Sequence, residues 1–361
     1  MCAEVRSRRA EGTFRRAARA AVIWLAVLVA GCAPDASPAI TIMPRGSGVF
    51  QAMTPGMAYD PEDIPLAWDS DTTLIVWHVE QQSSADVFRL RCEGTGLFRV
   101  TVGHEEPVAL AGGDPLCRVL MLGRPAPDPT SSHAVASLLG PRTPGILRWS
   151  LIDGSLDTLR SGCDLGDAAT WAADGSFFVF RGSCLLGEGR EFGAYVLSAD
   201  GVSLRRLTLP DGRELSQPSL HPDGDRLAYV VFDSGECLPT VHVAEGLGRT
   251  DMAELEGHAP AWSPDGEWLA LLAPLAPSEG GEGIWVVRPD GADARLVFRN
   301  RVETTFARGW GPRPEGLASG PLVWSPDGHW IAFSRRFDRG ASVWRVNVRT
   351  GAVQQLTERS R

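Results

Sequence analysis

Four aspartates and seven histidines are the residues of this chain best suited to acid–base or metal chemistry. The aspartates are Asp174, Asp223, Asp265 and Asp327, and each precedes a glycine: Gly175, Gly224, Gly266 and Gly328. Proline precedes three of the four. Proline presets φ for the first turn position, aspartate bonds the turn backbone, and glycine takes the left-handed position that closes a hairpin. Turn chemistry therefore accounts for these aspartates without catalysis. Valine at Gly266 or at Gly328 is expected to cost about 1–3 kcal/mol alike, because a β-branched residue resists positive φ. The histidines, at 78, 104, 133, 221, 242, 258 and 329, do not cluster. His221 replaces the serine of one turn and His329 follows the glycine of another, so both read as structural.

Whole reaction classes are missing their reagents. All 35 basic residues are arginine. Without lysine there is no Schiff-base enzyme, Walker A nucleotidase, protein kinase or serine–lysine acyltransferase. The sequence holds no G-x-S-x-G elbow, no H-E-x-x-H and no C-x-x-C. We assign no catalytic residue, no metal ligand and no cofactor.

The elements around the turns repeat. Trp324-Ser325-Pro326-Asp327-Gly328 leads into Ile331-Ala332-Phe333. Trp262-Ser263-Pro264-Asp265-Gly266 leads into Leu269-Ala270-Leu271. Leu220-His221-Pro222-Asp223-Gly224 and Trp171-Ala172-Ala173-Asp174-Gly175 open two further copies. A second hairpin follows each copy, as around Pro289-Asp290-Gly291 and Thr350-Gly351. One repeat is thus four short strands, which we call a to d. A four-stranded unit cannot bury both faces alone, and radial stacking of such units is a β-propeller. Fainter copies carry Asp71 and Asp128. With them the count is six blades; the weak mark at Asp128 leaves five or seven open.

These residues resemble the propeller repeats of TolB-like periplasmic proteins, W-S-P-D-G-x-x-I-A-F ending in L-T. Leu207-Thr208 and Leu356-Thr357 match the terminal pair. The resemblance covers residues 165–357 well and 63–160 weakly. It implies an all-β propeller and a role in an envelope complex. That family also carries an N-terminal α/β domain, for which the stretch between Cys32 and Asp63 leaves no room.

The first residues read as an address. Six arginines before residue 20 precede an uncharged apolar core at 20–30, too short to span a bilayer comfortably. The core ends in Val29-Ala30-Gly31-Cys32, which resembles a lipobox with Cys32 as the lipidated residue. An ordinary signal peptide that happens to contain a cysteine is the bland alternative. The chain then divides into a signal peptide at 1–31, a tether with a candidate ring-closing strand at 32–62, and the propeller at 63–361. Residues 1–31 carry six Arg and two Glu, a net +4, so their removal takes the charge from −9 to −13. An acidic surface argues against nucleic acid as partner. The lipid anchor makes the membrane a partner and the bacterial envelope the location.

Five cysteines remain: 92, 117, 163, 184 and 237. A symmetric turn between Ala173 and Asp174 pairs positions whose numbers sum to 347, as those of Cys163 and Cys184 do. A glycine bulge would shift that sum, and Cys237 is a rival for Cys184. The long connections, at 300–320 (d to a) and at 181–192, 233–240, 273–283 and 335–341 (b to c), share one face. Loops on a rigid scaffold are where binding resides. Arg308, Trp310, Arg313, Arg335, Arg336 and Arg339 on that face suit an acidic protein or glycan. Alternatively, nearby Glu303, Glu315 and Asp338 pair with these arginines. The leading functional reading is a non-enzymatic, lipid-anchored binding module. The alternative is a lyase or lactonase with a metal at the propeller axis, as related repeats occur in oligogalacturonate lyases.

Overall fold

The structure, a computed structural model, describes residues 39–42, 60–84, 87–104, 108–111, 124–138, 145–187, 189–232, 239–275, 281–300, 316–317, 321–336 and 340–357. Their strands form six antiparallel four-stranded blades; Ala39–Ile42 and Gly316–Leu317 add to blades one and six, which the closing contact joins into one ten-stranded sheet. Blade one is Asp60–Ser70, Thr73–Ser84, Val87–Thr101 and Val108–Ala111. Blade two is Ala126–Pro127, His133–Leu138, Gly145–Ser150 and Leu156–Ser161. Blade three is Cys163–Trp171, Phe177–Leu186, Gly189–Ser198 and Leu204–Leu207. Blade four is Ser216–Leu220, Leu227–Val231, Thr240–Glu245 and Thr250–Glu256. Blade five is His258–Trp262, Leu269–Pro274, Glu282–Val287 and Arg295–Asn300. Blade six is Val323–Trp324, Trp330–Arg336, Ala341–Asn347 and Val353–Gln355. The sequence marks of all six repeats, Asp71 and Asp128 included, fall in a–b turns.

The core lies between blades rather than within any one. Every residue of Leu227–Val231 is buried, because a b strand is covered on both faces. The outer strand Thr250–Glu256 is largely exposed. One apolar cluster fills each boundary. Ile75, Leu97 and Trp149 join blades one and two, while Ile146, Leu165 and Phe178 join two and three. Val179, Leu207 and Tyr229 join three and four, and Val243, Leu269 and Leu271 join four and five. Ile284, Ile331 and Phe333 join five and six. Trp68, Leu74, Ala332 and Val343 join six back to one. The ring is closed.

Closure has its own joint. The start of Asp60–Ser70 pairs in parallel with Ala341–Asn347, at Glu62 and Ala341. Of the stretch 32–62 expected to hold a ring-closing strand, Ala39–Ile42 pairs with Val87–Thr101 of blade one, residues 60–62 belong to the strand that makes the parallel contact, and 43–59 lie outside the described residues. Behind the parallel contact, the Arg336 guanidinium pairs with the Glu62 carboxylate, and both side chains are nearly inaccessible. The Ser334 hydroxyl donates to the Asp63 carbonyl at 2.8 Å.

The tryptophan that opens the repeat is an inter-blade staple. The Trp171 indole N–H donates to the Ala126 carbonyl of the preceding blade at 3.0 Å. Trp324 does so to Ala261 at 3.0 Å, and Trp68 to Val323 at 3.1 Å. Blade four has Leu220 at this place, and the buried indole nitrogen of Trp262 in the next blade lacks a partner. There His221 takes over. Its Nδ1 lies 3.0 Å from the Asp223 backbone nitrogen, and its Nε2 lies 3.1 Å from the Gly266 carbonyl oxygen of blade five and 2.6 Å from the Arg226 guanidinium, which donates to it.

In the a–b turns of blades three to six an aspartate accepts a backbone N–H two residues on. The bonds are Ser176 to Asp174, Asp225 to Asp223, Glu267 to Asp265 and His329 to Asp327, each 2.9 Å. Gly175, Gly224, Gly266 and Gly328 have φ of 71°, 77°, 70° and 70°. The Ser176 hydroxyl and N–H hold the Asp174 carboxyl below its ordinary range. Burial opposes the same effect at Asp223 and Asp327, but the bonds they accept outweigh it. The Ser150 hydroxyl, with the Ser155 N–H, lowers Asp153 to about 2. Depressed folded-state values mean that the unfolded chain binds the extra protons. This stabilisation is complete above about pH 4 and is lost as pH falls through the folded values. Urea midpoints should hold level from pH 7 to about 4.5, then fall toward pH 2.

Candidate functional site

The innermost strands carry small and apolar residues where they run into the a–b turns, and a cavity of about 250 Å³ lies there. Blade one contributes Leu66, Ala67 and Trp68. Blade two contributes Arg124 through Pro129, three of them prolines. Ala169, Thr170 and Trp171 come from blade three and Pro321 from the approach to blade six. The indole bonds of Trp68 and Trp171 fix those rings, so the wall is rigid. Its charged groups are Arg124 and Asp128. The Asp128 carboxylate is held by the Ser132 N–H at 2.9 Å and the Thr130 hydroxyl at 3.1 Å. Such a wall can receive an extended apolar segment and fix its direction with one cation and one anion.

Ionisable groups gather at the opposite ends of the same strands. Asp63 and His78 meet at 2.5 Å across blade one. His258 Nε2 and Glu282 Oε1 lie 3.3 Å apart in blade five, both nearly buried. The Asp164 carboxylate accepts from the Ser183 N–H at 2.9 Å and from Arg190 at 2.7 Å.

The structure joins Cys163 and Cys184 by a disulfide. Both sit inside strands, directly opposite in register. The expected loop at 181–192 is instead a continuation of the hairpin, with Phe177–Leu186 and Gly189–Ser198 paired along their whole length. Of the six residues assigned to the partner face, Arg335 and Arg336 are described. The Arg335 guanidinium lies over the Trp344 ring, 5.3 Å from its centroid. Arg336 turns to Glu62, a partner on another blade and not among its sequence neighbours. Arg308, Trp310, Arg313 and Arg339 lie outside the described residues, as do the apolar core at 20–30 and Cys32. Sequence reasoning missed the cavity wall. The recurring tryptophan was its available signal; Arg124 and the prolines around it follow no repeat and gave none.

No protein-family model matches the chain. A TolB homolog of Chlorobium luteolum is 31% identical over 164 residues, 44% of this chain and 32% of that protein. The Tol-Pal system protein TolB of Bordetella pertussis is 33% identical over 84 residues, 23% of this chain and 19% of that protein. The chain thus spans a third or less of the curated relatives it matches. Among solved structures, TolB of Acinetobacter baumannii superposes with a TM-score of 0.54 at 15% identity, over 83% of this chain and 64% of that one. Oligogalacturonate lyase of Vibrio parahaemolyticus gives 0.52 at 11% identity, over 85% and 96%. The chain is a β-propeller, and its propeller is TolB-like.

Proposed function

We propose that this chain is a lipid-anchored module of the bacterial cell envelope, exposed to the periplasm or at the cell surface, that binds an envelope protein, peptide or glycan without chemistry of its own. The observation that carries the reading is the axial cavity, whose rigid aromatic and proline wall holds one cation and one anion. The likeness to TolB, a Tol-Pal system protein in Bordetella, supports an envelope setting. Cys32 holds the anchor, and residues 32–62 lead from it to the propeller at 63–361. The face bearing Arg308, Trp310, Arg313 and Arg339 is the second candidate surface, for an acidic partner.

One capture experiment separates these parts. In wild type, fatty-acid label and membrane fractionation should depend on Cys32 and vanish in Cys32→Ser. Ala169→Arg fills the cavity from a half-buried position, and Trp310→Ala with Arg313→Ala strips the opposite face. Partners cross-linked from detergent-solubilised membranes should be lost with Ala169→Arg while cooperative melting is retained, with some lowering because Ala169 also packs against the blade two to three core. Loss only with the double variant moves the site to the long-loop face. Retention in both variants overturns the binding reading. The second reading, a metal-assisted lyase or lactonase at the axis, draws on the His258–Glu282 and Asp63–His78 pairs. Manganese-dependent formation of unsaturated products from oligogalacturonides would favour it.

A further inference from the structure

Away from the axis, the boundary of blades three and four encloses an unusual histidine. His242 lies on the c strand of blade four, opposite Tyr229 on b and Glu254 on d. Its side chain is 1% exposed. The ring stacks on Tyr229, with centroids 5.4 Å apart and planes 10° from parallel. Its Nδ1 is buried and makes no hydrogen bond. That atom faces Asp251 Oδ2 at 3.4 Å and Glu254 Oε1 at 3.7 Å. The Tyr229 hydroxyl donates to Asp251 Oδ1 at 2.7 Å, which fixes the carboxylate with Oδ2 toward the histidine. A bulge at Val243 and Ala244 brings Asp251 to this position.

A ligand atom from each of His242, Asp251 and Glu254 lies within 4.8 Å of the other two. Nitrogen and oxygen ligands about 2.0–2.1 Å from a tetrahedral ion stand about 3.3–3.4 Å apart. The observed separations of 3.4 and 3.7 Å are close to that edge, and too long for good hydrogen bonds. Asp211 and Asp251 pair with one guanidinium, Arg213, and Glu254 faces His242 beside them, so three carboxylates stand against one cation and the local field favours another. Asp251 and Glu254 reach solvent, which gives an ion a way in.

We propose that His242, Asp251 and Glu254 form a binding site for a divalent transition ion, Zn²⁺ being the best match to one imidazole and two carboxylates, with water in the fourth position. Arg213 guards it. Its Nη1 lies 3.2 Å from His242 Nε2, and arginine can only donate, so without the ion Nε2 accepts and Nδ1 keeps the proton. Metal on Nδ1 moves that proton to Nε2, and the guanidinium must swing away. Arg213 is 36% exposed, so it can swing into solvent without a backbone change, giving up its contacts with Asp211 and Asp251.

The test uses the purified full-length chain and zinc alone. Zinc competition against a fluorescent chelator, read beside thermal melting with and without zinc, should give one site per chain and a zinc-dependent rise in melting temperature. Glu254→Gln, at an exposed position that should leave folding intact, should weaken zinc binding by at least about tenfold, the scale even of outer-shell losses. His242→Ala should abolish it. Arg213→Gln should tighten it several-fold, which a merely structural role for Arg213 would not produce. If wild type and Arg213→Gln both fail to take zinc at tens of micromolar, the proposal is wrong. It is equally wrong if zinc binds but Glu254→Gln and His242→Ala leave its affinity unchanged.

Discussion

Arg336→Ala should lower stability by about 3–5 kcal/mol, the usual result of stranding one charge of a buried pair. The reason is geometric. Glu62 stands on the first strand of the ring and Arg336 on the last blade, and their side chains are 9% and 12% exposed. Removing the guanidinium leaves the Glu62 carboxylate with little water and no countercharge. The same change weakens the parallel contact of Glu62 with Ala341 and the Ser334 bond to Asp63, because all three meet at one joint. Glu62→Gln should cost less, since an amide can still accept from arginine. The pair Glu62→Leu with Arg336→Met should recover most of the loss, as apolar replacement of a buried ion pair is often neutral. Urea unfolding of the four proteins reads this directly. A loss below about 1 kcal/mol for Arg336→Ala would assign the pair to the surface class and leave closure to the apolar cluster around Trp68 and Val343.

The fold was legible because its signal is local. Pro-Asp-Gly fixes each turn, flanking apolar runs fix each strand, and the repeat fixes the stacking. The joints between blades were less legible. Nothing within the blade-six repeat says that Arg336 will face Glu62, which lies 274 positions earlier. The tryptophan staples were partly visible as a recurring residue, but their acceptors are backbone carbonyls, which leave no mark in a sequence. Strand register shows the same limit. Near its turn, blade three pairs Ala169 with Phe180 and Trp171 with Phe178, a centre between Asp174 and Gly175 rather than between Ala173 and Asp174. A bulge between Leu165 and Ala169 then shifts the pairing and sets Cys163 opposite Cys184. A bulge has no strict sequence code, so turn symmetry alone could not place those sulfurs. The site was least legible. Its walls come from blades one to three and the approach to blade six, and Leu66, Arg124, Pro129 and Trp171 share a site only because the ring brings those inner strands together.

Gly266→Ala should cost markedly more than Gly328→Ala, although the two turns read alike in sequence. Both glycines have φ of 70°, and a left-handed backbone costs an alanine about 1–2 kcal/mol. At Gly328 that is the whole effect, because a Cβ there would meet nothing within 4 Å. At Gly266 a Cβ would lie 2.1 Å from His221 Nε2 and 2.5 Å from Cε1. His221 cannot step aside freely: it is 5% exposed, held by the Asp223 N–H and set edge-on against Trp262. Moving it also breaks its contact with the Gly266 carbonyl, the link across a boundary where the Trp262 indole nitrogen makes no bond. Overpacking of this kind adds about 1–3 kcal/mol, so Gly266→Ala should lose about 2–5 kcal/mol. The decisive comparison is the double variant. With His221→Ala in place the obstruction is gone, and adding Gly266→Ala should cost only the conformational part, matching Gly328→Ala within about 0.5 kcal/mol. Equal losses at the two glycines in the wild-type background would mean that the blade four to five joint yields to the new methyl. His221 would then be a filler of that boundary and not its staple.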